Sequence, residues 1–105
     1  MAREIAPTDV PEKARNGAFL LDVREPDEWA EGHIEGATLI PLGQLAARAN
    51  ELPTDREIIC ICRSGARSAR AQEAIDRSGH FAATYNMAGG MLLWVQSKLP
   101  VKTGA

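Results

Sequence analysis

Cys62-Arg63-Ser64-Gly65-Ala66-Arg67-Ser68 packs a thiol, two guanidinium groups, two hydroxyls and a glycine into a span short enough to surround one atom. The segment follows the apolar run Ile58-Ile59-Cys60-Ile61 and leads into a stretch of helical pattern. A buried strand ending at Cys62, a tight loop and a helix start would aim main-chain N–H groups and a positive helix end at the Cys62 sulfur. Such a cradle lowers a thiol pKa and steadies an anion beside the thiolate, which is the setting of a nucleophilic cysteine. The reading requires the sulfur to be reachable from water and the neighbouring amides to point inward.

The remaining reactive side chains carry less. Arg63 and Arg67 could each fork two N–H groups onto an oxyanion, with at least one expected on substrate and a surface ion pair as the alternative. Cys60 lies inside the apolar strand, where cysteine acts as a small hydrophobe. In an extended strand, side chains two positions apart run parallel with α-carbons about 6.6 Å apart, so no Cys60–Cys62 disulfide is expected. Two cysteines and two histidines make a poor zinc site, and no metal or organic cofactor is expected. His33 and His80 read as structural or surface residues. Asp22 and Arg24 read as a scaffold ion pair at a strand end, and Trp29 and Trp94 as packing.

The elements that must position the loop follow from periodicity and punctuation. A short strand over 3–6 precedes a helix over 8–16 with Pro11 in its first turn, and Gly17 closes it. Ala18 to Val23 is an apolar run suited to a strand buried on both faces. Pro26-Asp27-Glu28 opens a short helix that Gly32 stops. Thr38 to Ile40 is a brief strand, and Leu42, Leu45, Ala46 and Ala49 repeat at helical spacing. Glu57 to Cys62 is the central strand. A helix over 68–78 turns Ala71, Ala74, Ile75 and Ser78 inward, pairs Glu73 with Arg77 outward and ends at Gly79. Ala82 to Met87 is the last strand, Gly89-Gly90 a turn, and 91–95 the final helix. Val101 to Ala105 carries no structural signal.

Strands alternating with helices at such intervals predict an α/β fold of three layers, with a mostly parallel five-stranded sheet and helices on both faces. In such sheets sites form at the carboxyl ends of strands, where Cys62 falls. The 105 residues, 45% hydrophobic and 25% charged, suit a single domain with its core over about 3–98 and a flexible tail over 99–105. A net charge of −2 gives no reason to seek nucleic acid or anionic lipid, so any attraction for anions must be local. No segment approaches the length of a membrane span or a secretory core, and a cytoplasmic setting is expected.

Four segments taken in order resemble the single-domain rhodanese family of sulfurtransferases. They are Leu21-Asp22-Val23-Arg24-Glu25-Pro26-Asp27-Glu28-Trp29, Gly32-His33-Ile34-Glu35-Gly36-Ala37, the Cys62 loop, and Met87-Ala88-Gly89-Gly90-Met91 with Trp94. The resemblance implies that Cys62 takes a sulfane sulfur from a small anionic donor such as thiosulfate, becomes a persulfide, and passes the sulfur to cyanide or a thiol. Thioredoxin and glutathione are acceptors it would suit. Residues 63–68 would bind the donor, Gly65 letting the backbone turn tightly around the sulfur. The choice between thiosulfate and another donor stays open. A persulfide carrier or binding module serving a protein partner is the main alternative. Phosphatases and arsenate reductases of related fold place five residues between Cys and Arg, against four between Cys62 and Arg67 here.

Overall fold

The computed structural model describes residues 3–105. Five strands, β1 (Glu4–Ile5), β2 (Phe19–Asp22), β3 (Thr38–Leu39), β4 (Ile58–Ile61) and β5 (Thr84–Met87), form one sheet in the order β1-β5-β4-β2-β3. Every pairing is parallel. The central strand β4 pairs along its length with β2, Phe19 to Ile58 through Asp22 to Ile61.

Parallel strands need crossovers, and these place apolar side chains on both faces. On one face Leu20, Ile59, Ile61 and Met87 pack with Val10 of α1 (Val10–Arg15) and with Met91 and Trp94 of α4 (Gly90–Gln96). On the other, Leu21, Val23, Ile58, Cys60 and Cys62 pack with Ala71 and Ile75 of α3 (Ala66–Ser78) and with Leu45 and Leu52. Cys60 and Cys62 thus share the α3 face, because side chains alternate along a strand. The fourth helix, α2 (Pro26–Glu31), follows the end of β2. None of the helices among the described residues is long and apolar enough to cross a membrane.

Three local expectations need correction. The helical spacing over 42–49 forms two single 3₁₀ turns, Leu42–Gln44 and Ala49–Glu51, in place of one helix. Gly43 weakens its first turn, and a run this short holds helix only through tertiary packing, which here uses buried Leu45 and half-buried Leu42 while Ala46 is exposed. In α3, Ala74 and Ser78 are exposed at the margin of a groove, while Ser68, Ala71, Gln72 and Ile75 form the buried stripe at helical spacing. The tail is tied down: Lys102 and His33 exchange two main-chain hydrogen bonds of 2.8 Å, and Gly104 N–H donates to the Ala30 carbonyl at 2.8 Å. That last bond satisfies one of the carbonyls that α2 leaves unpaired at its end.

Candidate active site

Cys62 lies one residue beyond β4, at the carboxyl edge of the sheet. The chain turns at once: Gly65 takes φ +104°, and α3 starts at Ala66, two residues before the helix read from the sequence. The Gly65 N–H donates to Cys62 Sγ at 3.0 Å, and the Ser68 hydroxyl lies 3.3 Å from the same sulfur. Burial pushes the thiol up, but the Ser68 hydroxyl and the amides of Ser68, Gly65 and Ser64 outweigh it and hold the pKa below the ordinary 9.0. The amides converge as the sequence reading requires. The requirement of access to water is not met in this conformation, because Cys62 is 0% exposed. Its donors sit in contact with the sulfur, and its other side packs into the apolar α3 face, so the thiol fills its own cradle.

Two elements that sequence reasoning left out hold the loop in place. Asn86 of β5 is buried; its Nδ2 donates to the Gly65 carbonyl at 3.0 Å and its Oδ1 accepts the Ser68 hydroxyl at 2.5 Å. A hydroxyl has one proton, so Ser68 serves Asn86 and the Cys62 sulfur by turns. The start of α4 supplies the second element: Met91 N–H donates to the Cys62 carbonyl at 2.8 Å and Leu92 N–H to the Arg63 carbonyl at 3.0 Å. These helix-start amides would otherwise lack partners. Gly90, at φ +58°, lies so close that a β-carbon there would stand 2.4 Å from the Arg63 carbonyl oxygen. The only sequence signals were an asparagine in a strand, a poor β-former, and a Gly-Gly pair read simply as a turn.

The arginines part company. Arg67 forks onto Glu28, Nη1 to Oε1 and Nη2 to Oε2, both at 2.7 Å. The bond to Arg67 drives the Glu28 carboxyl down to about 2, and Glu28 in turn raises the Arg67 pKa. At least one of the two arginines is expected on substrate; Arg67 is already paired in the way the alternative allows, which leaves Arg63 for that role. Glu28 is also fixed from its own helix. Its Oε1 accepts the Glu25 N–H at 3.0 Å in a capping box at the start of α2. Arg24 anchors that helix in turn, bonding both oxygens of buried Asp22 and donating to the Glu28 and Gly32 carbonyls at 3.2 and 2.9 Å. The Asp22–Arg24 scaffold pair is as the sequence suggested. Arg63, Ser64 and Ala66 are exposed on the rim, and Arg63 has no carboxylate partner among the described residues.

The other candidates are structural. Cys60 is buried, and burial raises its thiol to about 12, so it stays protonated. Both cysteines are free. His33 is buried, stacks on Trp29 with ring centroids 3.8 Å apart, and bonds the Trp29 carbonyl through Nδ1 at 2.8 Å. Trp94 is buried and donates Nε1–H to the Pro100 carbonyl at 2.9 Å. Among the described residues no group of three His, Cys, Asp or Glu side chains is placed to hold a metal.

The model of the Rhodanese-like domain family matches residues 6–97. Protein YqhL of Bacillus subtilis is 44% identical over 77 residues, covering 73% of this chain and 60% of that protein, so the chain spans less than two thirds of that relative. Thiosulfate sulfurtransferase GlpE of Pseudomonas aeruginosa is 31% identical over 103 residues, 98% of this chain and 92% of that protein. A crystal structure of a rhodanese-related protein from Thermoplasma volcanium superposes with a TM-score of 0.85 at 32% identity, over 95% of this chain and 97% of that one.

Proposed function

Because the chain belongs to the rhodanese-like domain family of sulfurtransferases, we propose that it moves a sulfane sulfur from thiosulfate or a related donor to cyanide or a thiol, through a persulfide on Cys62. The observation that carries this reading is the convergence of the Gly65 amide and the Ser68 hydroxyl on one sulfur whose pKa they lower. In the first half-reaction the Cys62 thiolate attacks the outer sulfur of the donor. The donor's S–S bond breaks with its electron pair on the leaving group, sulfite in the case of thiosulfate, and Cys62 holds a persulfide. In the second, the acceptor attacks the terminal sulfur and the Cys62 thiolate leaves. No outside oxidant or reductant enters, and the cycle is of the ping-pong type.

The persulfide is anionic like the thiolate, so the same donors stabilise both. Arg63, Ser64, Gly65, Ala66, Arg67 and Ser68 form the binding loop in this reading, the exposed Arg63 meeting the donor's charge and the loop amides its transferred sulfur. The sealed sulfur adds a step: the exposed rim at Arg63, Ser64 and Ala66 must part before a donor reaches Cys62. Mass spectrometry after treatment with thiosulfate is the test. Cys62 should gain one sulfur atom with release of sulfite, and Cys62→Ser should abolish both while keeping the circular dichroism of the folded protein. Full turnover in the Ser variant would remove Cys62 as the nucleophile.

A further inference from the structure

We propose that Glu28 determines the class of sulfur donor, occupying the Arg67 fork so that persulfides of organic thiols load Cys62 in preference to thiosulfate; this rests on the reading of Cys62 as the sulfur carrier. The two-point contact of Arg67 with Glu28 is the contact an arginine makes with a substrate oxyanion. Glu28 thus holds the place that a sulfonate would take. The carboxylate has little freedom to leave, because the capping bond to Glu25 and the Arg24 clamp fix the helix that bears it. It also stays ionised at any working pH.

The charges near the sulfur then nearly cancel. Arg67 and Glu28 neutralise each other, Arg63 is the one unpaired cation of the loop, and the thiolate opposes it. Glu25 also acts on Arg67, and Glu31 borders the same mouth, so acids prevail on the α2 side. Thiosulfate brings a doubly charged ion to this site and leaves as doubly charged sulfite. An organic persulfide carries a single negative charge at its sulfur when ionised, against two on thiosulfate, and its protonated form, R–S–SH, meets the thiolate with a neutral terminal sulfur. The Cys62 thiolate bonds to that sulfur, the S–S bond breaks with its electrons on R–S⁻, and the hydrogen stays on the transferred sulfur.

A second observation points the same way. Glu28 and Arg63 border a groove of about 430 Å³ whose lining also includes Leu92, Val95 and Val101, the three large apolar side chains that are exposed among the described residues, at 50%, 57% and 42%. Exposed apolar surface gathered in one groove marks a place for an apolar group. Thiosulfate has no organic part to put there, whereas the R group of a persulfide does.

The experiment compares kcat/KM for thiosulfate and for benzyl persulfide, whose organic part is apolar and uncharged. The unaltered protein should favour the persulfide. Glu28→Gln keeps the capping acceptor but frees the Arg67 fork, and should raise the thiosulfate-to-persulfide ratio about tenfold, the worth of one partly buried charge. Leu92→Ser should lower the persulfide value about threefold, as loss of part of an apolar contact does. A ratio unmoved by Glu28→Gln, or a preference for thiosulfate in the unaltered protein, overturns the assignment. Should Glu28→Gln fail to fold, salt decides on the unaltered protein. Rising ionic strength should not slow the thiosulfate reaction, and a clear slowing would reveal a net positive mouth and refute the neutralisation. If neither donor adds sulfur to Cys62, the sulfurtransferase reading itself has failed; if both do and the ratio stays fixed, only the role of Glu28 has.

Discussion

Gly90→Ala separates what holds the Cys62 loop from what merely surrounds it. The substitution has two costs. Gly90 sits at φ +58°, where an L side chain costs about 1–2 kcal/mol. Its new methyl would also stand 2.4 Å from the Arg63 carbonyl oxygen and 2.5 Å from that of Cys62, both main-chain atoms that cannot rotate aside. Relieving such overpacking costs about 1–3 kcal/mol. The sum, about 2–5 kcal/mol, lowers the melting temperature by roughly 8–20 °C in a domain of this size. Two controls divide the terms. Gly79→Ala has a similar φ of +73° with nothing within 4 Å, so it bears the conformational cost alone. Gly43→Ala has neither strain nor neighbour and should change stability by about 0.5 kcal/mol or less. Thermal melts give the stabilities, and the rate of Cys62 alkylation reports on the loop. Because the collision pushes on the carbonyls that Met91 and Leu92 hold, Gly90→Ala alone should alter that rate. A Gly90→Ala protein as stable as Gly79→Ala, with unaltered alkylation, would refute the claim that the start of α4 positions the loop.

Further outcomes follow from the same geometry. The alkylation rate of Cys62 should rise with pH through a midpoint below 9.0, and Ser68→Ala should move that midpoint upward, since it removes the main group opposing burial. Asn86→Leu, which frees both Ser68 and the Gly65 carbonyl, should shift the same midpoint and cost about 1–3 kcal/mol of stability, measured by denaturant titration. The Glu28 carboxyl lies at about 2 in the fold against 4.5 in a free side chain. A lowered carboxyl pKa contributes stability that is complete above the free value and is lost as pH falls toward the folded one, so the melting-temperature gap between the protein and Glu28→Gln should close across that window. Labelling should depend on size: methyl methanethiosulfonate should modify Cys62, a bulky maleimide should react far more slowly, and Cys60 should react with neither in the folded protein. Rapid maleimide labelling of Cys62 would show that the cradle stands open in solution.

What the sequence by itself determined is local. Ile58 to Ile61 can only be a strand buried on both faces, and the residues from Cys62 to Ser68 must then turn sharply into a helix, so the Cys62 sulfur, its amide donors and the Gly65 turn were legible from neighbours in the chain. The alternation of strands and helices likewise required parallel pairing, and Glu73 with Arg77 was readable from a spacing of four. Only the tertiary structure decided the rest, because those contacts join residues far apart in sequence. Arg67 meets Glu28 across 39 positions and Ser68 meets Asn86 across 18. A charged side chain in a list of residues is equally fit for substrate or for another side chain, and the packing of α2 beside the loop made the choice. The tail from Pro100 onward shows no pattern of its own, yet Trp94, His33 and Ala30 supply its hydrogen-bond partners. Whether Cys62 is open or sealed is likewise set by how β5, α3 and α4 close around it, since accessibility belongs to the assembled surface and not to any stretch of chain.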